Sequence, residues 1–158
     1  MLATENKAGA LFVYARDHIS AGPAQRIQMS DPHDFSFIGL PAYDPVTRAL
    51  FVANTSDEGQ FRHGMVAMGV QPSCSLKPVW QQVRGADNSP TSPPTVANGV
   101  VYWGDGSGNQ AFAFDAATGQ ELWNSGATIA GPVQAAPIVA NGRLYVFAWD
   151  NTVHAFGL

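Results

Sequence analysis

Pro94-Thr95-Val96-Ala97-Asn98-Gly99-Val100-Val101-Tyr102 and Pro137-Ile138-Val139-Ala140-Asn141-Gly142-Arg143-Leu144-Tyr145 are two copies of one segment. They lie 43 positions apart, the same separation as Trp80 and Trp123. Ala113-Phe114 recurs one residue early as Ala155-Phe156. A looser copy begins at Leu40-Pro41-Ala42-Tyr43-Asp44-Pro45, where a longer turn precedes Ala49-Leu50-Phe51-Val52 and stretches the separation of Pro41 and Pro94 to 53.

Periods of ~40–45 residues are shared by four-stranded propeller blades and some helical repeats, so residue types must decide. The apolar segments are short and rich in Val, Tyr, Phe and Trp, with Asn-Gly or Asp-Gly between them, whereas helical repeats need long 3.6-period runs. The expected fold is therefore all-β: a partial propeller of four-stranded antiparallel blades. Residues 1–34 read as part of an upstream blade in which 10–15 form a strand, and 35–90 as a blade with longer connections at 54–63 and 70–77. Residues 91–134 read as a complete blade, with strands A at 94–97, B at 100–104, C at 110–114 and D at 120–124. Residues 135–158 read as a last blade that stops after strand C and lacks its outer strand. The chain has material for about 3.7 units, and closed propellers need about four to eight blades.

Composition excludes several classes. Hydrophobic residues make up 46% and charged residues 13% of the 158, unlike a disordered chain. A net charge of −4, with scattered Lys and Arg, argues against a nucleic-acid partner. No stretch has the length of a membrane span, and Met1-Leu2-Ala3-Thr4-Glu5-Asn6-Lys7 lacks the pattern of a signal peptide. Cys74 is the single cysteine; it is either a loop thiol or half of a disulfide whose partner lies outside this chain.

Ala113-Phe114-Asp115-Ala116-Ala117-Thr118-Gly119-Gln120-Glu121-Leu122-Trp123 resembles the Ala-x-Asp-x-x-x-Gly-x-x-x-Trp signature of PQQ-like, quinoprotein-type β-propeller repeats. The copy ending at Trp80 is degraded, with Gly69 in place of the Asp and Ala67 thirteen residues before the Trp. The motif residues Ala113, Asp115, Gly119, Trp123 and Trp80 read as structural. Gly119 supplies a φ > 0 turn, Asp115 accepts backbone N–H bonds within it, and the two Trp wedge, largely buried, against the neighbouring blade.

Alternating strand direction places the B–C turns and D–A connections on one face: Asp105, Asp150, Asn151, the 54–63 loop, and the 84–92 and 125–136 connections. The resemblance makes this the cofactor-bearing face, where family enzymes hold PQQ against a metal ion such as calcium. Cys74 alone cannot form their adjacent-Cys disulfide, and no ligand set is assignable. Asp105-Gly106-Ser107-Gly108-Asn109 reads as a hairpin turn rather than a calcium loop, because position twelve is Ala116 and not Glu. His18, His33, His63 and His154 lack metal-ligand spacing and read as solvated or hydrogen-bonded.

The expected function is a non-catalytic binding or assembly scaffold, periplasmic or secreted by resemblance. Its partner is a protein or the remaining blades of a longer propeller, with self-association possible through open edges. The alternative is the C-terminal part of a PQQ-dependent alcohol or sugar dehydrogenase. A third reading is a carbohydrate-binding propeller using Trp103, Trp149 or Tyr102.

Overall fold

The structure, a computed structural model, describes residues 1–34, 39–84 and 89–157. Four antiparallel sheets follow one another along the chain. Sheet 1 holds β1 (Leu2–Glu5), β2 (Ala10–Tyr14) and β3 (Gln25–Gln28) in that order, and a 3-10 helix, Arg16–Ala21, joins β2 to β3. Sheet 2 holds β4 (Ala42–Asp44), β5 (Ala49–Asn54), β6 (Gly64–Val70) and β7 (Leu76–Val83). Sheet 3 holds β8 (Thr95–Ala97), β9 (Val100–Asp105), β10 (Gln110–Asp115) and β11 (Glu121–Asn124). Sheet 4 holds β12 (Ile138–Ala140), β13 (Arg143–Ala148) and β14 (Thr152–Gly157). Each is an up-and-down meander, as expected of blades.

The turns follow from residue type. Asn98 and Gly99 have φ of 52° and 77°, and Asn141 and Gly142 have 51° and 70°. Both pairs thus take the left-handed conformation that a two-residue hairpin requires. Asp115 Oδ1 accepts from the backbone N–H groups of Ala117 and Thr118 and from Thr118 Oγ1. Asp44 does the same for Val46 and Thr47, although its turn joins β4 to β5 rather than a third strand to a fourth.

Side chains alternate between sheet faces, and here both faces of the middle sheets are apolar, so sheets stack. Leu11, Val13 and Met29 pack on Leu50, Val52, Val66 and Met68. Phe51, Met65 and Ala67 pack on Val101, Trp103, Phe112 and Phe114. Tyr102, Ala111 and Ala113 pack on Leu144 and Val146. The core is thus three seams between four sheets.

One expectation needs correcting. The segment 10–15 was the single strand expected upstream, yet β2 is the centre of a three-stranded sheet. Its flanks, Leu2-Ala3-Thr4-Glu5 and Gln25-Arg26-Ile27-Gln28, are too polar to show as strands, being mostly exposed on one side. Trp80 and Trp123 keep part of their surface exposed, because each sits on an outer strand and packs against the next sheet.

Candidate interaction face

The β1–β2 turn, the β5–β6 loop, the β9–β10 turn, the β13–β14 turn and the connections between sheets gather on one face, as strand parity requires. Thr91 bridges Asp105, and the Ala130 N–H donates to Asp150 Oδ2 at 3.2 Å. The expected 84–92 connection is seen at Arg84 and again from Ser89; the stretch 85–88 lies outside the described residues.

Asp105 is buried, and its Oδ1 accepts from the Ser107 N–H and hydroxyl at 2.9 and 2.8 Å. Asp150 Oδ1 accepts from the Thr152 N–H, while its Oδ2 accepts from Ala130 and sits 3.1 Å from His154 Nε2. These hydrogen bonds hold the Asp150 carboxyl below the usual range against the opposing effect of desolvation. Asn151 is exposed at φ 62° and serves the turn. Asp105 and Asp150 therefore belong to turns of different sheets. Among the described residues, no three His, Cys, Asp or Glu side chains are grouped to hold a metal ion.

A buried polar cluster has no counterpart among the sequence expectations. Ser30 Oγ lies 2.8 Å from Thr55 Oγ1 and 2.9 Å from Ser56 Oγ, and it accepts from the Ser56 N–H. Thr55 Oγ1 donates to Asp34 Oδ2 at 2.7 Å. His63 Nδ1 lies 2.8 Å from the Thr55 carbonyl and its Nε2 3.3 Å from Ser89 Oγ. A carbonyl can only accept, so Nδ1 carries hydrogen; in the neutral ring Nε2 then accepts from Ser89. Ser30, Thr55, Ser56 and His63 are all buried. The cluster stitches sheet 1 to the β5–β6 loop and to Ser89. Serines and threonines in separate loops carry no spacing signal, which is why it could not be read from the chain.

The remaining candidates separate clearly. Trp103 and Tyr102 are buried, so neither is an exposed sugar platform, whereas Trp149 is 70% exposed. The Trp149 N–H donates to the Pro132 carbonyl at 3.0 Å, which fixes its backbone beside the 125–136 connection. His18 and His33 are exposed. Cys74 is exposed on the opposite face, in the β6–β7 turn, and lines a cleft of about 450 Å³ with Tyr14, His18 and Gln25.

The motif residues fall on the seams instead. Ala67 pairs with Trp80 and Ala113 with Trp123, each followed by a bulge, so the degraded copy keeps the pairing that its spacing hid. Trp80 lies between Phe51 and Phe114 at 5.7 and 6.4 Å, and its Nε1 donates to the Ala116 carbonyl of the next sheet. Arg84 reaches across the same seam to Glu121 at 2.8 Å and lies over Phe112 and Phe114. A family model described as outer membrane protein assembly factor BamB matches residues 75–157, just over half of the chain. The chain belongs to this PQQ-like β-propeller family.

The crystal structure of BamB from Moraxella catarrhalis superposes with a TM-score of 0.50 at 16% identity, covering 98% of this chain and 57% of that one. The chain thus spans just over half the length of that protein. Two computationally designed proteins also match. Ika4 has 14% identity and a TM-score of 0.44, covering 75% of this chain and 89% of its own. Ika8 has 15% identity and a TM-score of 0.46, covering 99% of this chain and 55% of its own. No curated protein matches the chain. Among the described residues, no helix is long and apolar enough to cross a membrane.

Proposed function

We propose that this chain is a non-catalytic protein-binding scaffold acting in outer-membrane protein assembly, outside the cytoplasm, with its contact centred on Trp149. The observation that carries the reading is Trp149 itself: a large aromatic ring, 70% exposed, on a backbone held by Pro132 and next to Asp150. Interface anchors are enriched in such residues. The carboxylates and hydroxyls around it are engaged in turns and seams, which supports a role in shaping the face rather than reacting on it. The family description points to assembly as the process.

The test is binding of the purified chain to an unfolded outer-membrane β-barrel protein and to purified outer-membrane assembly machinery. Trp149→Ala should weaken binding at least about tenfold, as loss of a hot spot does, with an unchanged unfolding midpoint. Unchanged binding would remove Trp149 from the interface. The dehydrogenase alternative requires PQQ and calcium to bind, so heat on calorimetric titration with both would favour it. Selective retention on a glycan array, lost in Trp149→Ala, would favour the carbohydrate reading.

A further inference from the structure

Two of the tight turns carry the parts of a covalent reaction of the chain with itself. In Asn98-Gly99 and in Asn141-Gly142 an asparagine carboxamide stands next to the main-chain nitrogen of a glycine, and all four residues are exposed. Among the described residues, no hydrogen bond ties the Asn98 or Asn141 side chain. Nothing lies within 4 Å of the place where a Cβ would stand on Gly99 or Gly142. Neither a side chain nor a neighbour therefore screens the glycine nitrogen.

The other described asparagines are held back. Asn6 Oδ1 accepts from the Ala10 N–H, and Asn54, which is buried, donates to the Ser56 and Arg62 carbonyls. Asn109 donates to the Ala130 carbonyl, and Asn124 donates to Glu121 while accepting from the Gly126 N–H. Asn151 precedes Thr152, whose branched Cβ crowds the nitrogen that would attack.

We propose that Asn98 and Asn141 are sites of spontaneous deamidation, where the chain exchanges a turn amide for a carboxylate with water as the co-reactant. The nitrogen of Gly99 attacks Asn98 Cγ. The new N–Cγ bond replaces the Cγ–Nδ2 bond, and Nδ2 leaves as ammonia with the proton of the glycine nitrogen. Water then opens the cyclic imide: cleavage of the N–Cγ bond gives aspartate, and cleavage of the bond to the main-chain carbonyl gives isoaspartate. Nothing is oxidised or reduced. The ring closes when the turn opens, and exposed loop tips are where opening costs least.

The consequence reaches the contact between sheets 2 and 3. Isoaspartate routes the main chain through its side chain, adding a carbon to a two-residue turn whose length sets the register of β8 and β9. The Gly99 carbonyl accepts from the Ala116 N–H at 2.9 Å, and the Ala116 carbonyl accepts from Trp80 Nε1 at 3.1 Å. Displacing Gly99 thus loosens the turn on which Trp80 is seated.

The folded chain, held at mildly alkaline pH, is sampled over time by peptide mass spectrometry. Peptides carrying Asn98 and Asn141 should gain the mass of an NH2-to-OH exchange ahead of the other described asparagines, with isoaspartate identified by electron-transfer fragmentation. The chemical denaturation midpoint should fall in step. Asn98→Gly keeps a turn-forming pair and removes the carboxamide, so it should abolish conversion at position 98, leave conversion at Asn141 and slow the fall of the midpoint. Retention of both amides over a period in which the denatured chain converts them would overturn the proposal, as would conversion led by Asn6, Asn54, Asn109, Asn124 or Asn151. An unchanged midpoint after conversion at position 98 would overturn the link to Trp80.

Discussion

Gly119 lies flat beneath the indole of Trp80, a residue of the preceding sheet, so closely that a Cβ at Gly119 would fall 2.6 Å from Trp80 Cδ2. The glycine has φ 75°, so the turn needs it, and the neighbouring blade needs it too. Gln82 adds a bond across the same seam, its Nε2 donating to the Gly119 carbonyl at 2.7 Å. The repeat signature is thus a joint between blades, with Trp from one sheet and Gly from the next.

The two tryptophans should therefore differ in cost. Trp80 packs on two aromatic rings, a glycine and a carbonyl, whereas Trp123 rests on Phe156 at 4.8 Å. Trp80→Ala should lose about 3 kcal/mol, the lower end for an aromatic truncation because the ring is half-buried, and Trp123→Ala less. Chemical denaturation midpoints with a common m-value check the order.

The buried hydroxyl cluster should behave as structure. Ser30→Ala removes the acceptor for the buried Ser56 N–H and a partner for two hydroxyls, and should cost about 1–3 kcal/mol. His63→Phe should cost no more than that, since it removes the ring's bond to the Thr55 carbonyl while the Ser89 N–H still donates to that carbonyl. Thermal unfolding of the two variants tests this, and a Ser30→Ala midpoint equal to the parent's would contradict it.

Acidity should act through two opposite groups. Bonds from Thr47 hold the Asp44 carboxyl below its usual range, and bonds from Thr118 do so for Asp115. A carboxyl lowered in the folded state stabilises above its unfolded value and ceases to do so as pH falls through the folded one. Thr118→Val should therefore flatten the loss of stability on acidification below about pH 4. Glu5 is the reverse: its Oε1 is sealed without a hydrogen-bond partner among the described residues, and burial raises its carboxyl from 4.5 to about 8. The folded chain then holds a proton that the unfolded chain has released, so stability declines as pH rises from 4.5 toward 8. Glu5→Gln should remove that decline, as unfolding midpoints across this range would show.

Much of sheets 3 and 4 was legible because Asn98-Gly99 and Asn141-Gly142 mark turns of a single type and Val, Tyr and Phe fill the strands between them. Sheet 1 was less so: Glu5 and Arg26 break the apolar alternation, and their strands exist because β2 supplies backbone partners on both edges. The candidate face was placed by strand parity, but its chemistry was not, since parity locates Asp105 and Asp150 without showing that Asp105 bonds within its own turn and Asp150 to its turn, Ala130 and His154. The joint of Trp80 with Gly119 was half legible. Spacing identified the residues, and only the stacking of sheets shows that they meet.

The most direct test of that joint is a double-mutant cycle of Trp80→Ala with Gly119→Ala, measured by chemical denaturation. Gly119→Ala alone should cost about 1–3 kcal/mol from overpacking and an unfavourable φ, and Gly142→Ala, with no atom within 4 Å of its Cβ, should cost less. With Trp80 already truncated, the collision is gone, so the cost of Gly119→Ala should fall by about 1 kcal/mol or more. Strict additivity of the two changes would mean that the tryptophan and the glycine do not join neighbouring blades.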